Sequence, residues 1–181
     1  MVRILVIGSG AREHAIVKAL SQSKRAKKIY CLASNHNPGL INICEDIKID
    51  NINDPDLVKN YAKKHEIDFA IIGPENPLFN GVADALWDIE VGTIGPKKNL
   101  AQIETSKSFT RNLLKEYKIP GCPKYKTFKD MDGVEEFLSL LGEDYVVKYD
   151  GLAGGKGVKV SGDHLHSHKE AILYCKELIA K

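Results

Sequence analysis

The segment that decides the fold of the second half of the chain reads Tyr145-Val-Val-Lys-Tyr-Asp-Gly-Leu-Ala-Gly-Gly-Lys-Gly-Val-Lys-Val160. Two β-branched runs flank a turn that is rich in glycine, and this pattern predicts a strand, a flexible loop and a second strand. Backbone N–H groups in such a loop can approach an anion, and Lys148 and Lys156 add positive charge. The loop is not a P-loop, because Val158 resumes a strand where a P-loop would open a helix. We therefore expect a phosphate-binding hairpin, the alternative being an ordinary glycine-rich hairpin with solvated lysines.

Composition limits the class of protein. The chain has 181 residues, of which 43% are hydrophobic and 28% charged, as in one folded domain or one domain with part of another. A net charge of +2 does not indicate a nucleic-acid partner. The four cysteines form no CxxC pair, and no apolar run reaches the length of a signal peptide or a membrane span. These features predict reduced thiols and a cytoplasmic location, without a membrane partner.

Strands alternate with helices in the first half of the chain. Apolar runs predict strands at 2–7, 29–33, 69–72 and 91–94. Helical spacing or capping signals predict helices at 13–20, 54–65 and 81–87, with Asp54 as the N-cap of the second. Strands and helices in alternation favour an α/β fold with a Rossmann-like, doubly wound parallel sheet, which we place at residues 1–100.

The second half has a different pattern. We predict a helix at 106–117, a strand at 124–128, a helix at 131–141, the glycine hairpin, and a last helix at 167–179. Residues 101–181 are therefore expected to form a small α+β unit.

A second glycine loop, Gly8-Ser-Gly-Ala-Arg-Glu-His14, follows the first predicted strand. It is not a good NAD fingerprint, because Glu13 stands where the third glycine belongs and no acidic residue closes the second strand. The loop still directs two glycines at a helix N-terminus, where a phosphate is favoured, and Arg12 and His14 can add donors. The alternative is a tight turn with a solvated Arg–Glu pair.

Two further segments carry polar side chains. Glu75 follows the third strand in Gly73-Pro-Glu-Asn-Pro77, at the sheet edge where ligands of α/β folds bind, and could accept from a sugar hydroxyl or an amine. His164, His166 and His168 alternate, which suits a transition-metal clip if they share a strand face. An exposed turn with only adventitious nickel or zinc binding is the interpretation that we favour.

Together these motifs resemble the N-terminal part of the phosphoribosylamine–glycine ligase (glycinamide ribonucleotide synthetase) family, within the ATP-grasp superfamily. The resemblance covers essentially the whole chain and rests on segments 6–15, 73–78, 94–96, 106–108 and 146–158. It implies a pre-ATP-grasp, phosphoribosylamine-binding domain at residues 1–100. It also implies the start of an ATP-grasp domain at 101–181, with its linker helices and small ATP-lid subdomain.

The resemblance implies a reaction and a set of binding residues. The family joins glycine to 5-phosphoribosylamine in de novo purine synthesis, with ATP going to ADP and phosphate through a glycyl phosphate and with Mg²⁺ or Mn²⁺ as the metal. The positions implied for ATP are Lys107, Lys148, Gly151, Gly154, Gly155, Lys156 and Gly157. Those implied for phosphoribosylamine are Gly8, Gly10, Arg12, Glu13, His14, Pro74 and Glu75.

Family members are longer than this chain, so their metal ligands and large ATP-grasp subdomain are expected beyond Lys181. We accordingly expect no metal ligand in this chain, no turnover by it alone, and the C-terminal part of the ligase as its partner. Two alternatives stay open. One is another ATP-grasp enzyme, such as a biotin-dependent carboxylase or a formate-using transformylase, although Arg12-Glu-His14 favours the glycine ligase. The other is a stand-alone phosphate- or nucleotide-binding module.

Overall fold

The computed structural model describes residues 1–25 and 27–180. The chain divides into two compact units, Met1–Gln102 and Ile103–Lys181. The strands are β1 (Val2–Ile7), β2 (Lys27–Ala33), β3 (Asp46–Ile49), β4 (Phe69–Ile72), β5 (Gly92–Ile94), β6 (Val146–Lys148) and β7 (Val158–Val160). The helices are α1 (Ala11–Ser21), α2 (Pro38–Ile41), α3 (Pro55–Lys64), α4 (Glu75–Phe79), α5 (Val82–Trp87), α6 (Lys98–Thr105), α7 (Lys107–Glu116), α8 (Val134–Leu141) and α9 (His168–Ile179). None of the helices described is long and apolar enough to cross a membrane.

The first unit is built on one parallel sheet in the order β3-β2-β1-β4-β5. Successive residues of β1 point to opposite faces: Leu5 and Ile7 pack with α3 and α5, whereas Val6 packs with α1 and α2. Burial on both faces explains why the central strands read as continuous apolar runs. The predicted Rossmann-like α/β fold is confirmed, with β1 and β4 adjacent at the centre of the sheet.

The N-terminus of α3 shows how local sequence sets an element. The Asp54 carboxylate accepts hydrogen bonds from the Asp56 and Leu57 N–H groups, at 3.0 and 3.1 Å, and Pro55 occupies the first helical position. The capping that we predicted from Asp54-Pro55 is therefore present.

Three elements that lie entirely within the first unit were not predicted, and neither was α6, which begins there. Strand β3 pairs only with β2 among the described strands, and as an edge strand it alternates charged Asp46 and Lys48 with isoleucines. Helices α2 and α4 have four and five residues, too few to show helical periodicity. Short or charged elements of this kind give the weakest signals in a sequence.

The second unit contains the predicted glycine hairpin. Strands β6 and β7 pair antiparallel, with Lys148 opposite Val158 at the base of the loop. Helices α8 and α9 pack on the hairpin through a core that includes Leu138, Tyr145 and Tyr174. Strand, glycine loop and strand are thus confirmed as the layout of residues 146–160.

The strand predicted at 124–128 is wrong. This segment is not part of a ladder in the described structure, and alternating Lys124 and Lys126 leave it only Phe128 as a large apolar anchor. The Phe128 ring lies 6.0 Å from that of Phe137 on α8. The segment and β6 line one cavity of about 980 Å³ within the second unit. The strand prediction therefore failed because the local sequence does not specify a sheet partner for this segment.

Candidate functional site

The two loops that follow β1 and β4 meet at the carboxyl edge of the sheet. The Gly8 N–H donates to the Leu32 carbonyl at 2.9 Å, and the Gly73 N–H donates to the Ile7 carbonyl at 3.0 Å, so both loops start from the sheet ladder. A Cβ atom on Gly8 would lie 2.9 Å from Pro74 Cδ, closer than real Cβ contacts. The absence of a side chain at Gly8 therefore lets the two loops pack against each other.

Glu13 fills the space beneath this junction. Its side chain is only 4% exposed, although it belongs to the first turn of α1. One carboxylate oxygen accepts the Gly10 N–H at 2.6 Å, which makes Glu13 the distal half of a capping box. The other oxygen accepts from Arg12 Nε at 3.1 Å. The Arg–Glu pair is present, but it is not the solvated pair that the sequence left open as an alternative.

Arg12 and Glu75 lie at the mouth of the site. The Arg12 side chain is 63% exposed, and its Nη2 atom lies 3.9 Å from Glu75 Oε2. Glu75 is the first residue of α4, directly after Pro74. One cationic and one anionic group thus stand side by side at the rim, where a ligand with a phosphate and hydroxyls could contact both.

His14 packs against the loop that follows β2. A Cβ atom on Gly39 would lie 2.3 Å from His14 Cε1, so the imidazole lies directly on the backbone of α2. Asn37 caps α2 through the Gly39 N–H at 3.0 Å, and its Nδ2 donates to the Ser9 carbonyl at 2.9 Å. Sequence reasoning missed this loop as part of the site, although Asn37-Pro38 is a helix-start signal that could have located it.

The glycine hairpin of the second unit has a bonded base and an open tip. The Tyr149 N–H donates to the Gly157 carbonyl at 2.7 Å, which extends the ladder into the loop. Gly154 and Gly155 have φ values of +53° and +80°, and a Cβ atom on either would meet nothing within 4 Å. Lys156 is exposed beside them. The tip therefore has a backbone conformation that favours glycine, with open space beside it.

Asp150 joins the base of this hairpin to α7. Its carboxylate accepts from the N–H groups of Lys107, at 2.6 Å, and Ser108, at 3.1 Å, and from the hydroxyls of Ser106 and Ser108. Burial alone would raise the pKa of Asp150, but the hydrogen bonds from Ser108, Lys107 and Ser106 outweigh it and lower the pKa. Sequence reasoning did not single out Asp150.

The same contact places Lys107 at the glycine loop. Its Nζ atom donates to the Gly151 carbonyl at 2.8 Å. Lys148 lies at the end of β6 with an exposed side chain. Lys107, Lys148 and Lys156 thus all belong to the hairpin or to the helix end tied to it, so positive charge is concentrated in this part of the second unit.

The three alternating histidines do not form a metal clip. His168 begins α9, where its Nε2 atom lies 2.9 Å from the Gly142 carbonyl and its ring 5.2 Å from that of Tyr145. His164 and His166 lie in the turn between β7 and α9. Across residues 1–25 and 27–180, no three His, Cys, Asp or Glu side chains converge to hold a metal ion.

Two family models of one protein family together match residues 2–181 of this chain. The family model for the N domain of phosphoribosylglycinamide synthetase matches residues 2–104, and the model for its ATP-grasp (A) domain matches residues 105–181. The chain belongs to the phosphoribosylglycinamide synthetase family. The family resemblance predicted from the glycine loops is thereby confirmed.

Individual relatives agree with this assignment. A phosphoribosylamine–glycine ligase of Methanosarcina barkeri is 45% identical over 99% of this chain, and one of Methanocaldococcus jannaschii is 47% identical over 97%. The chain spans 41% and 40% of the length of these two relatives. The activity in their names belongs to those longer proteins. This chain corresponds to about two fifths of each.

Solved structures share the fold. The phosphoribosylamine–glycine ligase of Thermotoga maritima superposes with a TM-score of 0.72 at 24% identity, covering 95% of this chain and 38% of that one. An N5-carboxyaminoimidazole synthetase of Staphylococcus aureus, complexed with ADP, superposes with a TM-score of 0.73 at 17% identity, covering 99% and 45%. At these identities the likeness concerns the fold alone, and it agrees with the ATP-grasp domain that the family model matches at residues 105–181.

Proposed function

We propose that this chain carries the phosphoribosylamine-binding loops and the nucleotide-phosphate-binding hairpin of an ATP-dependent ligase that joins glycine to 5-phosphoribosylamine. The products are glycinamide ribonucleotide, ADP and phosphate. Family membership over the whole chain supports the proposal, as do relatives of that name at 44–47% identity. Since the chain spans two fifths of those relatives, the proposal concerns the parts of the site that it contains.

The first unit would bind the phosphoribosylamine at the carboxyl edge of its sheet. Gly10, at the N-cap of the 11-residue helix α1, has no side chain that could accept from the N–H groups of the first turn, so a phosphate could take that place. Arg12 would pair with the same phosphate, and Glu75 would accept from a ribose hydroxyl or the amine. Gly8, His14 and Pro74 would line the edge beside them.

The second unit would bind the phosphates of ATP. ATP, when bound, supplies the phosphoryl group that activates the glycine carboxylate. Lys107, Lys148 and Lys156 would neutralise phosphate charge, and the loop that contains Gly151, Gly154, Gly155 and Gly157 would offer its N–H groups and exclude water. The N-terminus of α7 already binds the Asp150 carboxylate, so we place the phosphates on the loop and the lysines instead.

The metal ion that such ligases use, Mg²⁺ or Mn²⁺, is not assigned to residues of this chain. The carboxylate nearest to the glycine loop, Asp150, is committed to Lys107, Ser108 and Ser106. The side chains described here therefore act by positioning and by charge neutralisation rather than by covalent chemistry.

One observation carries the substrate half of the proposal: the glycine loop after β1 and the Pro74-Glu75 loop after β4 meet at one edge, with Arg12 exposed between them. The test is calorimetric titration of the chain with ribose 5-phosphate, a stable analogue of phosphoribosylamine, and with ribose. We expect binding of ribose 5-phosphate only. Arg12→Ala should weaken it about tenfold or more, because a charge-assisted hydrogen bond contributes about 1.5–3 kcal/mol.

Arg3→Ala is the matched control. Arg3 pairs with Glu66 at 3.1 Å and lies at the start of β1, whereas the site follows the end of that strand. The control should bind ribose 5-phosphate as the wild type does. Equal affinity for ribose and ribose 5-phosphate, or a folded Arg12→Ala protein with unchanged affinity, would show that this loop is only structural.

A further inference from the structure

Glu13 occupies a space that two glycines leave for it. A Cβ atom on Gly8 would lie 2.7 Å from Glu13 Cγ, and one on Gly73 would lie 2.0 Å from Glu13 Oε1. Real Cβ atoms do not approach so closely, so any side chain at either position would displace the carboxylate. The loops after β1 and β4 are therefore shaped around a buried acid, which leaves almost no Glu13 surface for a ligand at the rim to contact.

The two oxygens of this carboxylate hold two different parts of the rim. Oε2 accepts the Gly10 N–H at 2.6 Å, which fixes the N-cap of α1. Oε1 accepts from Arg12 Nε at 3.1 Å, which fixes the plane of the guanidinium while the rest of that side chain is exposed. A guanidinium has five N–H donors, so those not used by Glu13 can face a ligand.

We propose that Glu13 is a positioning residue: it does not contact the substrate but orients Arg12 toward the ribosyl phosphate and, through Gly10, holds the N-cap of α1 in place. The inference rests on the proposed function of the same loop. It changes the role that the family resemblance implies for Glu13, from a substrate contact to a group that acts through Arg12. Pre-orientation of Arg12 lowers the entropy lost when a phosphate binds, since the guanidinium plane is already fixed.

The discriminating variant is Glu13→Gln. Its amide oxygen can still accept the Gly10 N–H, but its NH₂ group then points a donor at the Arg12 Nε–H. The variant therefore keeps the hydrogen bond from the Gly10 N–H and loses the one from Arg12 Nε, while the volume of the side chain hardly changes. Glu66→Gln is the matched control, because Glu66 also pairs with an arginine but its side chain is 73% exposed and lies away from the loops.

The first measurement is a double-mutant cycle with ribose 5-phosphate as the titrant. Glu13→Gln should weaken binding about tenfold, as expected for loss of one charge-assisted interaction. In the Arg12→Ala background the same change should have almost no further effect, because Glu13 acts through Arg12. Additive losses would overturn the inference while leaving the substrate site in place. Failure of the wild type to bind ribose 5-phosphate would overturn both.

The second measurement needs no ligand. The Arg12 Nε–H should give a slowly exchanging NMR signal in the wild type and in Glu66→Gln, and that signal should be lost in Glu13→Gln. The Gly10 amide should remain protected in all three proteins. Loss of Gly10 protection together with the Arg12 signal would show a merely structural role for Glu13 and would overturn the inference.

Discussion

Replacing Asp150 with alanine should destabilise the second unit and leave the first unit unchanged. The change removes the acceptor for the Lys107 and Ser108 N–H groups, whereas Ser106 still caps α7 through the Phe109 N–H at 3.1 Å. Loss of one of two capping acceptors costs about 1 kcal/mol. For a unit of about 80 residues, such a loss lowers Tm by about 4–8 °C.

The single tryptophan makes the assay specific for each unit. Trp87 lies in the first unit, so its fluorescence reports the unfolding of that unit, and calorimetry reports both transitions. Asp163→Ala, an exposed change in the turn after β7, is the control. A Tm of the second transition that falls no further in Asp150→Ala than in Asp163→Ala would refute the capping argument, as would a shift of the Trp87 transition.

The effect should depend on pH in a defined direction. Although burial opposes it, the hydrogen bonds hold the pKa of Asp150 below the ordinary value of 3.8. A lowered pKa in the folded state gives stability that is complete above the ordinary value and is lost as the pH falls through the folded-state pKa. The Tm difference between wild type and Asp150→Ala should therefore stay constant above about pH 5 and shrink below about pH 4.

Two further predictions concern glycines. Gly73→Ala should destabilise the first unit by about 1–3 kcal/mol and weaken ribose 5-phosphate binding, because its Cβ would displace the Glu13 carboxylate. Gly92→Ala is the control, because a Cβ atom there would lie 3.7 Å from its nearest neighbour, which is an ordinary contact. Denaturant unfolding and ribose 5-phosphate titration should show neither a loss of stability nor a loss of affinity in this variant. The amides of Gly154 and Gly155 should exchange with deuterium much faster than those of β1 and slow when ATP is added; equal protection in the free chain would refute a mobile lid.

The framework of the fold could be predicted because it depends on long apolar runs and on turn residues. The strands that became β1, β2, β4 and β5 were each recognised from such runs. Strand β3 was not, since an edge strand with alternating charges has the composition of a loop. Segment 124–128 shows the converse error: it was predicted as a strand, but strand pairing depends on a neighbouring strand that a local pattern cannot specify.

The candidate site could be predicted in position but not in internal geometry. Parallel strands end at one edge, so the loops that contain Gly10 and Glu75 were expected there. The Glu13 side chain points into the protein because Gly8 and Gly73 have no side chains to occupy that space. Gly8 and Gly73 are far apart in sequence, so a local pattern could not predict this. Asp150 was overlooked for the same reason, because its partners at α7 lie more than forty residues earlier.

Strand β6 has a consequence for how the protein behaves in concentrated solution. Within the described residues it pairs with β7 along one edge only, and it lines the same cavity as segment 124–128. Unpaired backbone groups on a sheet edge can template association with a second molecule. Exposed Lys124, Lys126, Lys129 and Lys148 line that cavity and outnumber its carboxylates, Asp144 and Asp150, so like charge should oppose the pairing of two such edges. Such repulsion acts over about 10 Å at 0.1 M salt and over only about 3 Å at 1 M, so we expect association of this chain through that edge to increase with ionic strength.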